Sequence, residues 1–335
     1  MLAELDRRLV VAPMAGGPST PALVTAASRA GAVGFLPAGY QSPEAVEAAV
    51  RTVAAASVPY GLNIFVPFPP IADPGPIERY RRALAGEAER YGVELPAVRT
   101  YDDDSFAAKV ELAVALAPPF VSFTFGVPDR AVVVALRAAG VTVLITVTSV
   151  AEALAAVTAG PDALVVQSGA AGGHASTTRP AEHRGDTEVG SLVWAVRSAV
   201  DLPLVAAGGI SSPAAVAAAL AAGATAVQAG TAFLLADEAG TRPAQRAAMT
   251  SGRYRDTVVT RAFTGQPARA LRNRFTEQYG DIAPLGYPAV HHLTAPIRAA
   301  AAATGDAEAL NLWAGTKHVS ARPAPTAQII DSLIP

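Results

Sequence analysis

The sequence has 335 residues, of which 51% are hydrophobic and 16% charged, with a net charge of −2 and no cysteine. That size and apolar content suit one large barrel or two domains with a sizeable core. The missing cysteines exclude disulfides, thiolate metal sites and cysteine nucleophiles. The scattered, nearly balanced charge leaves no nucleic-acid footprint and no polybasic membrane patch.

The amino-terminal run MLAELDRRLVVAPMAGG places its arginines after acidic residues and a proline inside its apolar stretch, unlike a signal peptide. Together with the absent cysteines, this suits a cytoplasmic location. Residues 202–236 carry no charge, long enough for a membrane span by length alone. Gly208, Gly209, Pro213, Gly223 and Gly230 nevertheless cut the stretch into strand-sized and helix-sized pieces, as doubly buried parallel strands require.

In chain order, short apolar runs alternate with Ala-rich helical patterns, the mark of a parallel α/β fold. Strands are expected at 9–12, 32–36, 60–65, 120–125, 141–147, 163–167, 204–207 and 225–229. Eight such units fit a (β/α)8 TIM barrel better than an open doubly wound sheet. Ser42-Pro43-Glu44, Ser149 and Ser212-Pro213 start helices with an N-cap hydroxyl, and Gly31, Gly140, Gly160 and Gly223 fall where a helix hands over to a strand.

Two regions leave the repeat. Residues 67–119 hold a proline-rich loop, a charged helix over 77–91 and a second helix near 104–116. After the eighth strand, residues 237–305 read as a smaller, mainly helical extension. Residues 1–236 are then the barrel, completed by 306–335, within which 312–322 look irregular but hold Trp313, Gly315, Lys317 and His318.

Ligands of such barrels bind at the carboxyl ends of the strands. The first strand exits at Ala12 into Pro13 and Met14, and the third contains Asn63 near its end. The sixth exits at Gln167 into a small-residue loop, Gly172-Gly173, that delivers His174, whose ordinary pKa lies near neutral. A flat ligand can lie against such a bare backbone. The seventh and eighth strands exit through Ala207-Gly208-Gly209 and Gln228-Ala229-Gly230-Thr231. Exposed N–H groups there, with the Thr231 hydroxyl, suit a phosphate. The amides of Asn63 and Gln167 can bond both edges of a flavin-like ring, or simply satisfy backbone at the strand ends. His183 lies in a charged loop that reads as solvated surface. His291 and His292 have no partners at metal spacing, so no metal site is expected.

The segments APMAGGPSTPALVTAASRAGAVGFL, GLNIFVP, the GGH loop, LPLVAAGGISS, AVQAGTAFL, YPAVHHLTAPIRAAAAATGD and LWAGTKHVSAR occur in consistent order over nearly the whole chain. In these the chain resembles the nitronate monooxygenases, FMN-dependent barrels related to FMN-containing enoyl-ACP reductases. The resemblance implies that Pro13, Met14 and Asn63 border FMN, and that Gln167, Gly172 and Gly173 contact its ring or ribityl chain. It further implies that Gly208, Gly209, Gln228, Gly230 and Thr231 hold its phosphate, and that Gly315 and Lys317 return to it. His174 matches the family's active-site histidine. Ala170 and Ala171 depart from the family, which commonly carries an acid before AGGH.

The activity implied is oxidation of alkyl nitronates, or of nitroalkanes, by O2 to carbonyl compounds and nitrite, in a monomer or homodimer. Two alternatives stand beside it: an NAD(P)H-dependent enoyl-reductase-like flavoenzyme, and a flavin-binding barrel without catalysis.

Overall fold

The structure, a computed structural model, describes residues 6–334. The outermost ends of the expected domain spans, residues 1–5 and 335, lie outside it. Eleven strands are present among the described residues: β1 Leu9–Val11, β2 Val33–Pro37, β3 Tyr60–Phe65, β4 Phe120–Thr124, β5 Thr142–Val147, β6 Ala163–Gln167, β7 Gly173–His174, β8 Leu204–Ala207, β9 Ala226–Ala229, β10 Thr257–Thr260 and β11 Ala268–Leu271. β1 to β6, β8 and β9 pair in parallel and close on themselves through β1 and β9, so the chain is a (β/α)8 TIM barrel.

All eight expected strands are there, within a residue or two of their ends. The uncharged stretch 202–236 is β8, a helix over Pro213–Ala221 and β9, and no described helix is long and apolar enough to cross a membrane.

Local chemistry explains the helix starts. The hydroxyls of Ser42, Ser149 and Ser212 each accept a hydrogen bond from the N–H three residues on, at 3.2–3.3 Å. Val10, Val33, Phe35, Phe120, Leu144, Val165 and Val205 fill the barrel interior, with the Phe35 and Phe120 rings 6.2 Å apart. Side chains therefore plug the barrel, and only its mouth is open to a ligand.

The charged helix expected over 77–91 is split into Gly75–Ala83 and Ala85–Arg90. Residues 237–305 do contain helices, at Pro243–Thr250, Arg274–Tyr279 and Ala289–Thr304, but also the antiparallel hairpin β10–β11. Its second strand β11 pairs in turn with β7, the two-residue strand of the GGH loop, and so lies in the middle of a three-stranded sheet. Neither hairpin strand shows an alternating apolar pattern long enough to announce it, and the β7 partner lies nearly a hundred residues away.

The extension builds a second core around Phe263, Phe275, Tyr279, Leu293 and Ile297, which it shares with Ile77, Tyr80 and Leu84 and with Leu310 and Leu312. The Arg274 guanidinium binds the buried Glu87 carboxylate, tying the extension to the helix pair of 75–90.

Candidate active site

Three loops of small residues meet at the barrel mouth. Gly208 and Gly209 follow β8 with φ of 98° and 78°, a region that L side chains avoid. A Cβ on Gly208 would stand 2.4 Å from Ser168 Oγ. The N–H groups of Gly208, Gly209 and Gly230 donate to no protein acceptor among the described residues. Close by, Thr231 Oγ1 accepts from Gly315 N at 2.9 Å, and Thr316 N donates to Ala170 O at 3.1 Å. The irregular segment 312–322 thus returns to the mouth. There Gly172 lies so near that a Cβ on it would come within 2.5 Å of Gly315 N. Free N–H donors around a bare backbone concavity fit a phosphate ester.

The loops border one cavity of about 650 Å³, within the range of cofactor sites. All the residues singled out from the sequence line it: Ala12, Pro13, Met14, Asn63, Gln167, Gly172, Gly173, His174, Ala207, Gly208, Gly209, Gln228, Ala229, Gly230, Thr231, Gly315 and Lys317.

Two of them are more constrained than their sequence suggests. Asn63 Nδ2 donates to Ser122 O, Ser122 Oγ and Thr124 Oγ1 on β4, leaving Oδ1 without a protein partner. Gln167 Nε2 donates to His174 O at 3.1 Å, and its Oε1 accepts from Ser176 N at 2.7 Å. Its amide holds the histidine loop in shape, and only the remaining N–H is left for a ligand.

His174 is held from the extension. Its Nε2 lies 3.0 Å from Thr264 Oγ1, a hydroxyl 1% exposed that also lies within 3.4 Å of Gln266 O and N. Gln266 Nε2 donates to Ala175 O and Thr177 O, and Arg269 on β11 donates to Gly169 O and Gly185 O. The loop is therefore clamped along its length. Nδ1 of His174 has no protein partner and is not buried among the orphan polar atoms, so it opens on the cavity.

Around it stand Trp313, Phe125 and Tyr287, with ring centroids at 5.3, 5.5 and 5.7 Å. Phe125 reaches this place with a φ of 76°, its N–H held by Ser176 Oγ at 3.1 Å. Such backbone strain in a bulky residue persists only where the surroundings impose it. Enclosure by these rings, helped by the Arg298 charge, lowers the His174 pKa to about 3, so the imidazole is neutral across the working range.

Nothing in the sequence singled out Thr264, Gln266, Tyr40 or Arg298, although Arg298 falls inside a recognisable segment. Of the other histidines, His291 also lines the cavity, whereas His318 and His183 stand outside it. His318 is buried, with Nε2 3.0 Å from Tyr254 O, and does not line the cavity. His183, read as solvated, is half-buried beside Val259 and Arg269 behind the loop. No group of three or more potential metal ligands occurs among the described residues.

The nitronate monooxygenase family model matches residues 3–335. The chain belongs to the nitronate monooxygenase family. It is 34% identical over 339 residues to a probable nitronate monooxygenase of Staphylococcus aureus strain Newman, covering 99% of this chain and 95% of that one. Among solved structures, a nitroalkane oxidase from Streptomyces ansochromogenes superposes with a TM-score of 0.95 at 44% identity, covering 99% and 96% of the two chains. FabK from Thermotoga maritima superposes with a TM-score of 0.76 at 26% identity, covering 99% and 93%. Family membership makes the chain an oxidoreductase acting on a small-molecule substrate.

Proposed function

We propose that this family member is an FMN-dependent enzyme that oxidises nitronates, and nitroalkanes that it deprotonates itself, with O2 to carbonyl compounds and nitrite. The observation that carries the reading is the pairing, in one cavity, of a neutral histidine and a bare N–H cradle. The cradle of Gly208, Gly209, Gly230 and Thr231 would hold the FMN phosphate. Asn63 Oδ1 and the backbone of Gly172-Gly173 would border its ring, with Ala12, Pro13, Met14, Gln167, Ala207, Gln228, Ala229, Gly315 and Lys317 around it. Bound there, FMN supplies the acceptor for substrate electrons and the donor of electrons to O2.

The chain's own residues do the rest. Nδ1 of the neutral His174 takes the α-proton of a nitroalkane; a positioned base is typically worth about a hundred- to ten-thousand-fold in rate. The Thr264 hydroxyl orients the imidazole through Nε2, and Trp313, Phe125 and Tyr287 keep water from the reacting carbon.

The test is an absorbance spectrum of the purified protein, followed by oxygen uptake and nitrite release with a nitroalkane and with its preformed nitronate. A colourless protein that takes up no FMN overturns the reading. Rapid anaerobic bleaching by NADPH, without nitronate turnover, makes it a reductase instead.

A further inference from the structure

Helix Ala289–Thr304 turns one face to the cavity, placing His291, Ala295, Arg298 and Ala299 on its wall. Arg298 is only 7% exposed, and no carboxylate pairs with it among the described residues. The ionisable groups acting on it are Tyr40, Tyr287 and a second arginine, Arg242. Burial lowers its pKa to about 10, which leaves it a cation at neutral pH.

Every hydrogen bond it makes is to a neutral partner. Nε donates to Thr294 Oγ1 at 3.1 Å, and Nη2 donates to His291 O at 2.8 Å with His291 Nδ1 at 3.3 Å. The last contact needs His291 unprotonated, as its burial and the Arg298 charge ensure. Nη1 bonds nothing in the protein and is not among the buried orphan atoms, so its donors open on the cavity. A buried guanidinium without a counter-charge is costly, and anchoring the helix does not require one, because Thr294 Oγ1 already binds Phe263 O. The charge is matched when an anion enters.

We propose that Nη1 of Arg298 is the docking point for the anionic oxygens of the substrate, a nitronate held within the field of the same charge that acts on His174. The planar NO2 group of a nitronate carries its charge on two oxygens, like a carboxylate, and the free Nη1 N–H groups can donate charge-assisted hydrogen bonds to them. The proposal rests on the function proposed above. The other negative charge that could meet this arginine is that of a reduced flavin ring, and the experiment separates the two.

Sodium nitrate, a planar anion needing no turnover, is titrated calorimetrically into the wild-type protein and the Arg298→Gln and Arg298→Lys variants. Flavin content, flavin midpoint potential and melting temperature are measured alongside. Arg298→Gln is expected to bind nitrate about ten- to a hundred-fold more weakly, the loss typical of a hydrogen bond to a charged group. Arg298→Lys keeps the charge and is expected to lose only a few-fold. It replaces Arg298→Gln as the deciding variant if the latter does not fold.

Undiminished nitrate binding in the deciding variant, or no binding by wild type, overturns the proposal. So does a shifted flavin potential with nitrate affinity intact, which assigns the arginine to the cofactor. Arginine-dependent nitrate binding in a protein that oxidises no nitronate leaves the anion site standing and removes the functional reading.

Discussion

The two ends of the cavity are built on opposite plans. At the β8–β9 end the ligand surface is backbone: Gly208, Gly209 and Gly230 offer N–H groups, and each lies within a few residues of the strand that positions it. At the His174 end the surface is side chain, and almost every support comes from far along the chain. Thr264 reaches Nε2 from 90 residues away, Arg269 pins Gly169 from 100 residues away, and Trp313 closes the wall from the returning segment. A backbone site is made by local conformation and tolerates almost no added atoms. A side-chain site is made by tertiary clamping and fails when any clamp is loosened.

Substitutions can separate these plans. The largest effect is expected from His174→Asn, which should lower turnover about a hundred- to ten-thousand-fold while the protein keeps its flavin; stopped-flow reduction together with a flavin titration reads both. Gly208→Val should do the reverse. Its φ of 98° and the 2.4 Å approach to Ser168 Oγ leave no room for a side chain, so the purified protein should lose flavin by tenfold or more in affinity.

Thr264→Val comes next, with about a tenfold fall in turnover, unchanged flavin binding and recovery in Thr264→Ser, since the hydroxyl that bonds His174 and the Gln266 backbone is removed while the side-chain volume is kept. Asn273→Ala should cost about 1–2 kcal/mol in a denaturant melt, because Asn273 caps helix Arg274–Tyr279 and also donates to Ala307 O and Leu310 O.

The smallest effect concerns pH. His174 titrates near 3 in the folded protein, against about 6.5 when unfolded. The kcat/KM profile should therefore show no acid limb near 6.5 from this residue. An acid limb near 6.5 that Thr264→Val shifts means a hydrated imidazole and breaks the comparison. The same depression makes stability fall as pH drops from about 6.5 towards 3, because the unfolded chain binds a proton that the folded one refuses. Glu152 acts in the same direction at lower pH. Burial would raise its carboxyl, but hydrogen bonds from Thr177, Thr148 and Thr178 outweigh burial and hold it below its ordinary value.

The barrel, its helix caps and the residues around the bare N–H groups were legible in the sequence because each signal is local. A buried strand needs an apolar run, an N-cap needs a hydroxyl, and a tight loop needs glycine. Asn63 and Gln167 were legible as positions but not as roles. Which backbone or side-chain group an amide meets depends on the neighbouring strand and loop, here Ser122, Thr124, His174 and Ser176.

By itself the sequence determined the (β/α)8 barrel, the position of His174 and the small-residue loops, through periodicity, turn chemistry and resemblance to the nitronate monooxygenases. Only the tertiary structure decided that the extension carries a hairpin, that β11 pairs with the GGH loop, and that Thr264, Trp313 and Arg298 converge on one cavity. The physical reason is range. Propensity and capping act over a few residues, whereas the protonation state of His174 and the unpaired charge of Arg298 arise from burial among groups distant in sequence.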